Sequence, residues 1–265
     1  MNRMVDFRCI LIVFCLTLCG NNFGAIAQEL QKLHTIHEIV DSAFENSKVV
    51  MINEVHAGQK RNKRTRIVGQ LALPKAHSHG VRTLAMEALT LPFAQEANRT
   101  RKVPLIDTKF GYLHQPDMMQ LMQTALDLGW NLVPYEDFDY KGASTIEAIN
   151  AREKIQAQNL FEIFKKLPKN EKLLVWCGNS HLNKNPAEIS MGTFFPMGYQ
   201  FWKISGVEPF VIDQTPTVDL KGDGSAFKKW EAYKDKLKTN FHQTMGILNL
   251  DKKRARILSL RNSIE

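Results

Sequence analysis

Apolar residues are spaced along the chain in two ways, one typical of helices and one typical of buried strands. Ile36, Val40 and Phe44 recur at every fourth position, and a short continuous apolar run follows at 49–52. Apolar positions three or four residues apart line one face of a helix, whereas a short uninterrupted run is typical of a strand buried on both faces. The pattern therefore predicts a helix over 29–46 and then a strand over 49–52.

The same alternation repeats along the chain. Further helices are predicted over 59–77 (interrupted near Pro74), 116–128 and 144–167, and further strands over 83–86, 131–135 and 173–176. Beyond about residue 190 the pattern changes and predicts strands over 200–204, 209–212 and 256–260 around a helix over 225–238. Strands that alternate with helices of this length favour an α/β fold, in which helices cover both faces of a mainly parallel central sheet.

The N-terminal segment differs in character from the rest. Residues 1–27 combine a basic start, an apolar run over 9–18 and the small-residue sequence Ala25-Ile26-Ala27, a combination typical of a secretory signal peptide cleaved before Gln28. The apolar run is too short for a membrane span, although an uncleaved anchor and a lipid attached at Cys19 are alternatives. We therefore predict one secreted or periplasmic domain over 28–265, with no stable membrane span and with Cys177 as its single thiol.

Composition and charge narrow the class of partner. The chain has 44% hydrophobic and 23% charged residues, as a globular domain does, and its formal net charge is +8. This positive charge is spread too widely to predict a nucleic-acid partner. A basic run over 60–66 is the exception, and most such runs are solvated helix faces. The alternative is that Arg64 turns back towards a site and binds an anionic group of the substrate.

Residues able to do chemistry follow four of the predicted strands. Glu54 and His56 come after the first strand, Glu87 after the second, Glu136 after the third and His181 after the fourth. Ligands of open α/β sheets bind beyond the carboxyl ends of the strands, so these side chains are expected at one edge. Carboxylates and imidazoles together are suited to a divalent metal or to general acid and base catalysis. We predict that four of them form the site, both as catalytic residues and as metal ligands: Glu54, His56, Glu87 and His181.

The predicted helix over 144–167 carries a carboxylate on its apolar face. Ile149, Ala157 and Leu160 belong to a stripe with steps of three or four residues, and Glu153 occupies one position of that stripe. A buried carboxylate is costly unless it meets a cation, a metal or a protonated base, or has a raised pKa. Glu153 is therefore predicted to be a further catalytic residue of the site, and Arg152 to bind substrate there. The alternative is an ion pair that only holds the helix against the sheet.

These segments resemble the Tiki/TraB superfamily and, within it, the ChaN-like haem-binding uptake proteins, with erythromycin esterases as more distant relatives. The sequence at 53–56 is similar to the family's first Gly-Glu-x-His motif, with Asn53 in place of the glycine, and Ala85-Met86-Glu87 is similar to its strand-end glutamate. The segment 178–181 is similar to the second Gly-x-x-His motif. The helix around 152–157 resembles the Arg-Asp-x-x-Met-Ala helix of ChaN-like proteins. The resemblance covers about residues 48–185.

The resemblance implies two functions, and the residues leave a third open. Tiki-like members are metal-dependent hydrolases, which suggests cleavage of a peptide or ester bond in a peptide or small-molecule substrate. ChaN-like members bind haem for iron uptake without catalysis, and Tyr112, His114 or Tyr199 could supply the ligand. A basic adhesin or toxin accessory protein would need only the surface charge, but that interpretation leaves Glu153 unexplained.

Overall fold

The computed structural model describes residues 31–55, 59–105, 111–136, 145–218, 228–240 and 243–260. The predicted signal segment over 1–27 lies outside these residues, as does His56. Among the described helices, none has both the length and the apolar character that a membrane span needs.

The helices and strands alternate through most of the chain. The helices are α1 (Ile36–Asn46), α2 (Gln59–Ser78), α3 (Leu91–Thr100), α4 (Pro116–Asp127), α5 (Ile146–Lys166), α6 (Met197–Ser205), α7 (Lys228–Glu231) and α8 (Lys234–Thr239). The strands are β1 (His34–Thr35), β2 (Val49–Glu54), β3 (Val81–Met86), β4 (Asn131–Pro134), β5 (Lys172–Gly178), β6 (Ala187–Ile189), β7 (Gly192–Phe194), β8 (Phe210–Asp213), β9 (Thr217–Val218), β10 (Met245–Asn249) and β11 (Arg254–Leu260).

Local capping explains where two of these helices begin. Thr35 precedes α1, and its hydroxyl accepts a hydrogen bond from the backbone of Glu38 while the Glu38 carboxylate accepts one from the Thr35 backbone. This reciprocal arrangement satisfies two backbone donors at a helix start. Thr145 caps α5 in a simpler way, by accepting a hydrogen bond from the backbone of Ala148.

The central sheet of the described residues is mostly parallel. Its order is β1-β10-β11-β8-β2-β5-β3-β4, and β9 pairs with β11. The pairs of β1 with β10 and of β10 with β11 are antiparallel, and the other pairs in this sheet are parallel. The strands β6 and β7 form a separate antiparallel hairpin. The predicted α/β fold with a mainly parallel central sheet is thus confirmed.

Helices cover both faces of this sheet, and successive residues of each strand alternate between them. On one face, Ile52, Met86 and Trp176 pack in a core with α1, α2, α3 and α4. On the other face, Met51, Ala85 and the apolar residues of α5 and α6 form a second core. Polar side chains at the strand ends are therefore also sorted between two faces, and this sorting determines which of them meet.

Several predicted elements differ from the structure. The segment 200–204, predicted as a strand, lies in helix α6, where Met197, Gly198 and Phe201 are its buried residues. The prediction was wrong because an apolar run of this length fits a buried helix as well as a strand. Helix α2 continues through Pro74 without the predicted interruption. The predicted helix over 225–238 appears as α7 and α8, with its first residues outside the described part of the chain.

Candidate functional site

His181 lies between two carboxylates just beyond the end of β5. Its Nδ1 atom is 2.7 Å from Oε1 of Glu153, and its Nε2 atom is 3.3 Å from Oε1 of Glu87. The side chain of Glu153 is 2% exposed, whereas those of His181 and Glu87 are 10% and 15% exposed. The imidazole is thus fixed from behind by a buried carboxylate and meets a second carboxylate nearer to solvent.

The two carboxylates change the ionisation of the imidazole. Burial alone would lower the pKa of His181, but the negative charges of Glu87 and Glu153 and their hydrogen bonds outweigh it and raise the pKa to about 10. Burial would likewise raise the pKa of Glu87, but the positive charges of His181 and Arg152 lower it well below its usual range. At neutral pH the site therefore contains an imidazolium and an ionised Glu87.

The first turn of α6 holds both His181 and its buried partner. The backbone N–H of Met197 donates a hydrogen bond of 2.7 Å to Oε2 of Glu153, and the N–H of Gly198 donates one of 2.7 Å to the carbonyl of His181. Gly198 comes so close to the loop after β5 that a Cβ atom there would lie 2.9 Å from the carbonyl oxygens of Leu182 and Asn183. The site therefore depends on close backbone packing as well as on charged side chains.

Arg152 connects Glu87 to another strand end. Its guanidinium donates two hydrogen bonds to Glu136, with lengths of 3.0 and 2.7 Å, and one of 3.0 Å to Oε1 of Glu87. Gln156 adds a hydrogen bond of 2.7 Å to Glu136. Because the Arg152 guanidinium donates to both Glu136 and Glu87, it fixes the orientation of the Glu87 carboxylate.

Backbone geometry also constrains Glu87. Its Oε2 atom accepts a hydrogen bond of 2.8 Å from the N–H of Gly178, at the end of the neighbouring strand β5. The next residue, Ala88, has a φ of 66° and is buried. The left-handed region costs a residue with a Cβ about 1 kcal/mol or more, and such strain is frequent at functional sites. The backbone is therefore strained at Ala88, the residue next to Glu87.

Glu54 points to the opposite face of the sheet from this cluster. It forms a buried ion pair with Arg66, and the indole Nε1 of Trp176 donates a hydrogen bond of 3.1 Å to its Oε2 atom. Arg66 also contacts Asp117 at 2.8 Å. The structure therefore brings Glu87, Glu153 and His181 together and places the Glu54 carboxylate in a separate polar cluster, which forms because β2 directs residue 54 towards α2 and α4.

The remaining predicted residues have different surroundings. His56 lies outside the described residues. Arg64 donates a hydrogen bond of 3.3 Å to the carbonyl of Leu258 in β11, so the described contact ties α2 to the sheet. Within the described part of the chain, no group of three or more histidine, cysteine or acidic side chains has the arrangement of a metal site. Glu87 and His181 supply two donors, whereas zinc sites in proteins usually have three or four protein ligands.

The predicted haem ligands are distributed on other surfaces. The ring of Tyr199 stacks on Phe195 with 6.0 Å between centroids, and Lys203 lies 5.6 Å from its centroid. His114 packs near Phe93, with 6.5 Å between ring centroids, and the side chain of Tyr112 lies outside the described residues. None of these contacts distinguishes a haem ligand, and haem binding stays a prediction.

Sequence reasoning missed two parts of this site for different reasons. Glu136 was recognised as a strand-end carboxylate but received no role, although its pairing with Arg152 follows from the position of Arg152 beside Glu153 on α5. The contribution of Met197 and Gly198 comes from their backbone N–H groups. Backbone donors leave no signal in residue type, so no sequence pattern could have identified them.

Comparisons with known proteins bear on the fold only. No family model and no curated protein match the chain. Among solved structures, the type III effector HopBA1 is similar with a TM-score of 0.50 and 15% identity, over 87% of this chain and 96% of that one. RRSP, a MARTX toxin effector domain from Vibrio vulnificus, has a TM-score of 0.45 and 12% identity over 87% and 40% of the two chains. A structure described as bacterial protein toxins has a TM-score of 0.46 and 14% identity over 69% and 37%. The chain thus spans about two fifths of the two longer proteins.

Proposed function

We propose that this protein is a hydrolase of peptide or ester bonds, in which Glu87 and His181 are the catalytic pair. The observation that carries this proposal is the contact of both ring nitrogens of His181 with carboxylates, one buried and one partly exposed. An imidazole held by a buried carboxylate on one nitrogen and paired with a partly exposed carboxylate on the other places a general acid beside a general base. Glu153 is then a positioning residue.

The pair has the protonation states for a complete hydrolytic cycle. Glu87, ionised at neutral pH, accepts a proton from water as the water oxygen attacks the substrate carbonyl carbon. His181 donates its Nε2 proton to the leaving nitrogen or oxygen as the bond from the carbonyl carbon breaks. The Glu87 proton then passes to His181 across the contact of 3.3 Å between them, which restores both groups. One water molecule is consumed and an acid and an amine or alcohol are released.

The metal-dependent form of this hydrolase rests on the sequence resemblance and needs His56. The described donors do not form a metal site on their own, so no step of the cycle is assigned to a metal. Glu54 and His56 nevertheless belong to the first motif, and a variant of His56 is part of the test.

Hydrolysis of a p-nitrophenyl ester and of a fluorogenic peptide library would test the proposal. We expect activity on one of the two substrates, and a loss of at least about 100-fold in Glu87→Gln and His181→Gln, as for the removal of a general acid or base. Glu171→Gln is the matched control, because Glu171 accepts a hydrogen bond from Thr83 at the other end of the strands. It should keep nearly full activity.

The other outcomes of these experiments are distinguishable from one another. Wild-type protein that cleaves neither substrate, or full activity in His181→Gln, would refute it. Activity that disappears with a chelator, returns with zinc and is lost in His56→Gln would instead support the metal-dependent form. A stoichiometric Soret band on haem titration, without hydrolysis, would support the uptake function.

A further inference from the structure

The side chain of Asn53 is fully buried at the carboxyl end of β2. Asn53 lies on β2 one residue before Glu54, so its side chain points to the face that carries Glu87 and His181. A buried amide costs free energy unless its donors and acceptor are satisfied. The contacts of Asn53 therefore indicate what this side chain does.

The amide of Asn53 connects the ends of three parallel strands. Its Nδ2 atom donates hydrogen bonds of 3.0 Å to Oδ1 of Asn179 and 3.2 Å to Oγ1 of Thr215. Its Oδ1 atom accepts one of 2.6 Å from the N–H of Gln214, whose side chain in turn donates one of 2.7 Å to the Asn53 carbonyl. Residues 214–215 follow β8 and Asn179 follows β5, so one side chain from β2 holds both neighbouring strand ends.

Asn179 lies in the loop between Gly178, which contacts Glu87, and His181, the other member of the catalytic pair. Gly178, on one side, donates its backbone N–H to Glu87, and His181 lies two residues away on the other side. A shift of Asn179 would therefore move the groups that align Glu87 with His181. Glycine at position 53 could not make this contact, because it has no side chain.

We propose that Asn53 is a positioning residue that holds the loop 178–181 so that Glu87 and His181 keep their alignment. The effect on catalysis rests on the proposed function, whereas the effect on the loop does not. For this reason the test has one measurement on the loop and one on turnover.

Amide hydrogen exchange of residues 178–183 measures the loop directly. We expect exchange to be faster by about 10-fold in Asn53→Ala and in Asn179→Ala, the size that corresponds to one lost hydrogen bond. The double variant should be no faster than either single variant, because both remove the same contact. Asn53→Leu has a similar size and no polar side-chain atom, so it should reproduce the effect and carries the test if Asn53→Ala does not fold.

Ser47→Ala is the matched control. The Ser47 hydroxyl precedes the other end of β2 and lies 3.0 Å from the carbonyl oxygens of both Val49 and Glu208, either of which can accept its one proton. It is thus a comparable polar contact remote from the loop. Ser47→Ala should lower the free energy of unfolding but leave amide hydrogen exchange of residues 178–183 unaltered. On the substrate that the wild type cleaves, the Asn53 variants should lower kcat by about 10-fold or more with little change in KM, as for misalignment of catalytic groups.

The outcomes separate this inference from the proposed function. Unaltered exchange in Asn53→Leu and Asn179→Ala, or equally faster exchange in Ser47→Ala, would overturn the role of Asn53. Faster exchange in a protein whose wild type cleaves no substrate would uphold the loop contact and refute the hydrolase. Faster exchange with unchanged kcat would refute the positioning role.

Discussion

Replacing Glu153 with glutamine tests the buried side of the His181 site. Glutamine keeps the size of the side chain, and its carbonyl can still accept the hydrogen bond from Met197. That oxygen, in the place of Oε2, also lies 2.9 Å from Nδ1 of His181, so it can still accept the imidazole proton. The negative charge of the carboxylate is lost, so Glu153→Gln should lower the pKa of His181 and destabilise the protonated form of the folded protein.

The size of the effect follows from the ionisation of His181. The difference between the ordinary histidine pKa of 6.5 and about 10 corresponds to about 5 kcal/mol of free energy, shared by two carboxylates. Loss of one of them should cost about 2–3 kcal/mol in the free energy of unfolding. Because the folded-state pKa is raised, this contribution is complete below pH 6.5 and disappears as the pH rises towards 10.

Urea unfolding of wild type and Glu153→Gln at pH 6 and pH 9.5 measures this difference. Glu162→Gln is the matched control, because Glu162 lies on the same helix in an ion pair with Lys165 at 2.6 Å and its side chain is 54% exposed. It should cost less than about 1 kcal/mol at either pH. A loss in Glu153→Gln that is the same at both pH values, or no larger than that of the control, would refute the reasoning.

Further predictions concern ionisation and buried ion pairs. Wild-type stability should fall as the pH rises from 6.5 to 10, and this slope should be smaller in His181→Gln; parallel curves from thermal melts would contradict the raised pKa of His181. Arg152→Lys should lose the paired hydrogen bonds to Glu136 and lower the free energy of unfolding by about 1–2 kcal/mol, with a larger fractional loss of turnover than of stability. Lys184→Met should cost about 2–3 kcal/mol, because Lys184 is buried against Glu208; chemical denaturation without any loss would show that this pair contributes nothing.

Periodicity was sufficient to predict the parallel part of the sheet. The apolar runs of β2, β3 and β5 are buried on both faces, so their residues had to be almost uniformly apolar, and such runs are visible in one sequence. The segment that became α6 was predicted wrongly because a short apolar run does not distinguish a helix from a strand. Strands β6 and β7 have three residues each and are too short to leave a periodic signal.

The sequence shows that a residue follows a strand. It does not show to which face of the sheet the side chain of that residue points. Glu54 and Glu87 both follow apolar runs, yet one joins Arg66 and the other joins His181. A difference of one residue in where each strand ends directs a side chain to the opposite face. Glu153 was easier to interpret, because a carboxylate within an apolar helical stripe needs a partner, and here that partner is His181.

Gly198 packs closely against the loop after β5. The temperature at which the site loses its structure can therefore be changed without replacing a charged residue. An alanine methyl group there would meet two backbone oxygens, which cannot move away as the end of a flexible side chain can. Gly198→Ala would push α6 away from the loop and weaken the backbone hydrogen bonds of α6 to both His181 and Glu153. Such a substitution is a rational choice for a conditional allele, in which the charged groups are intact and their alignment fails on warming.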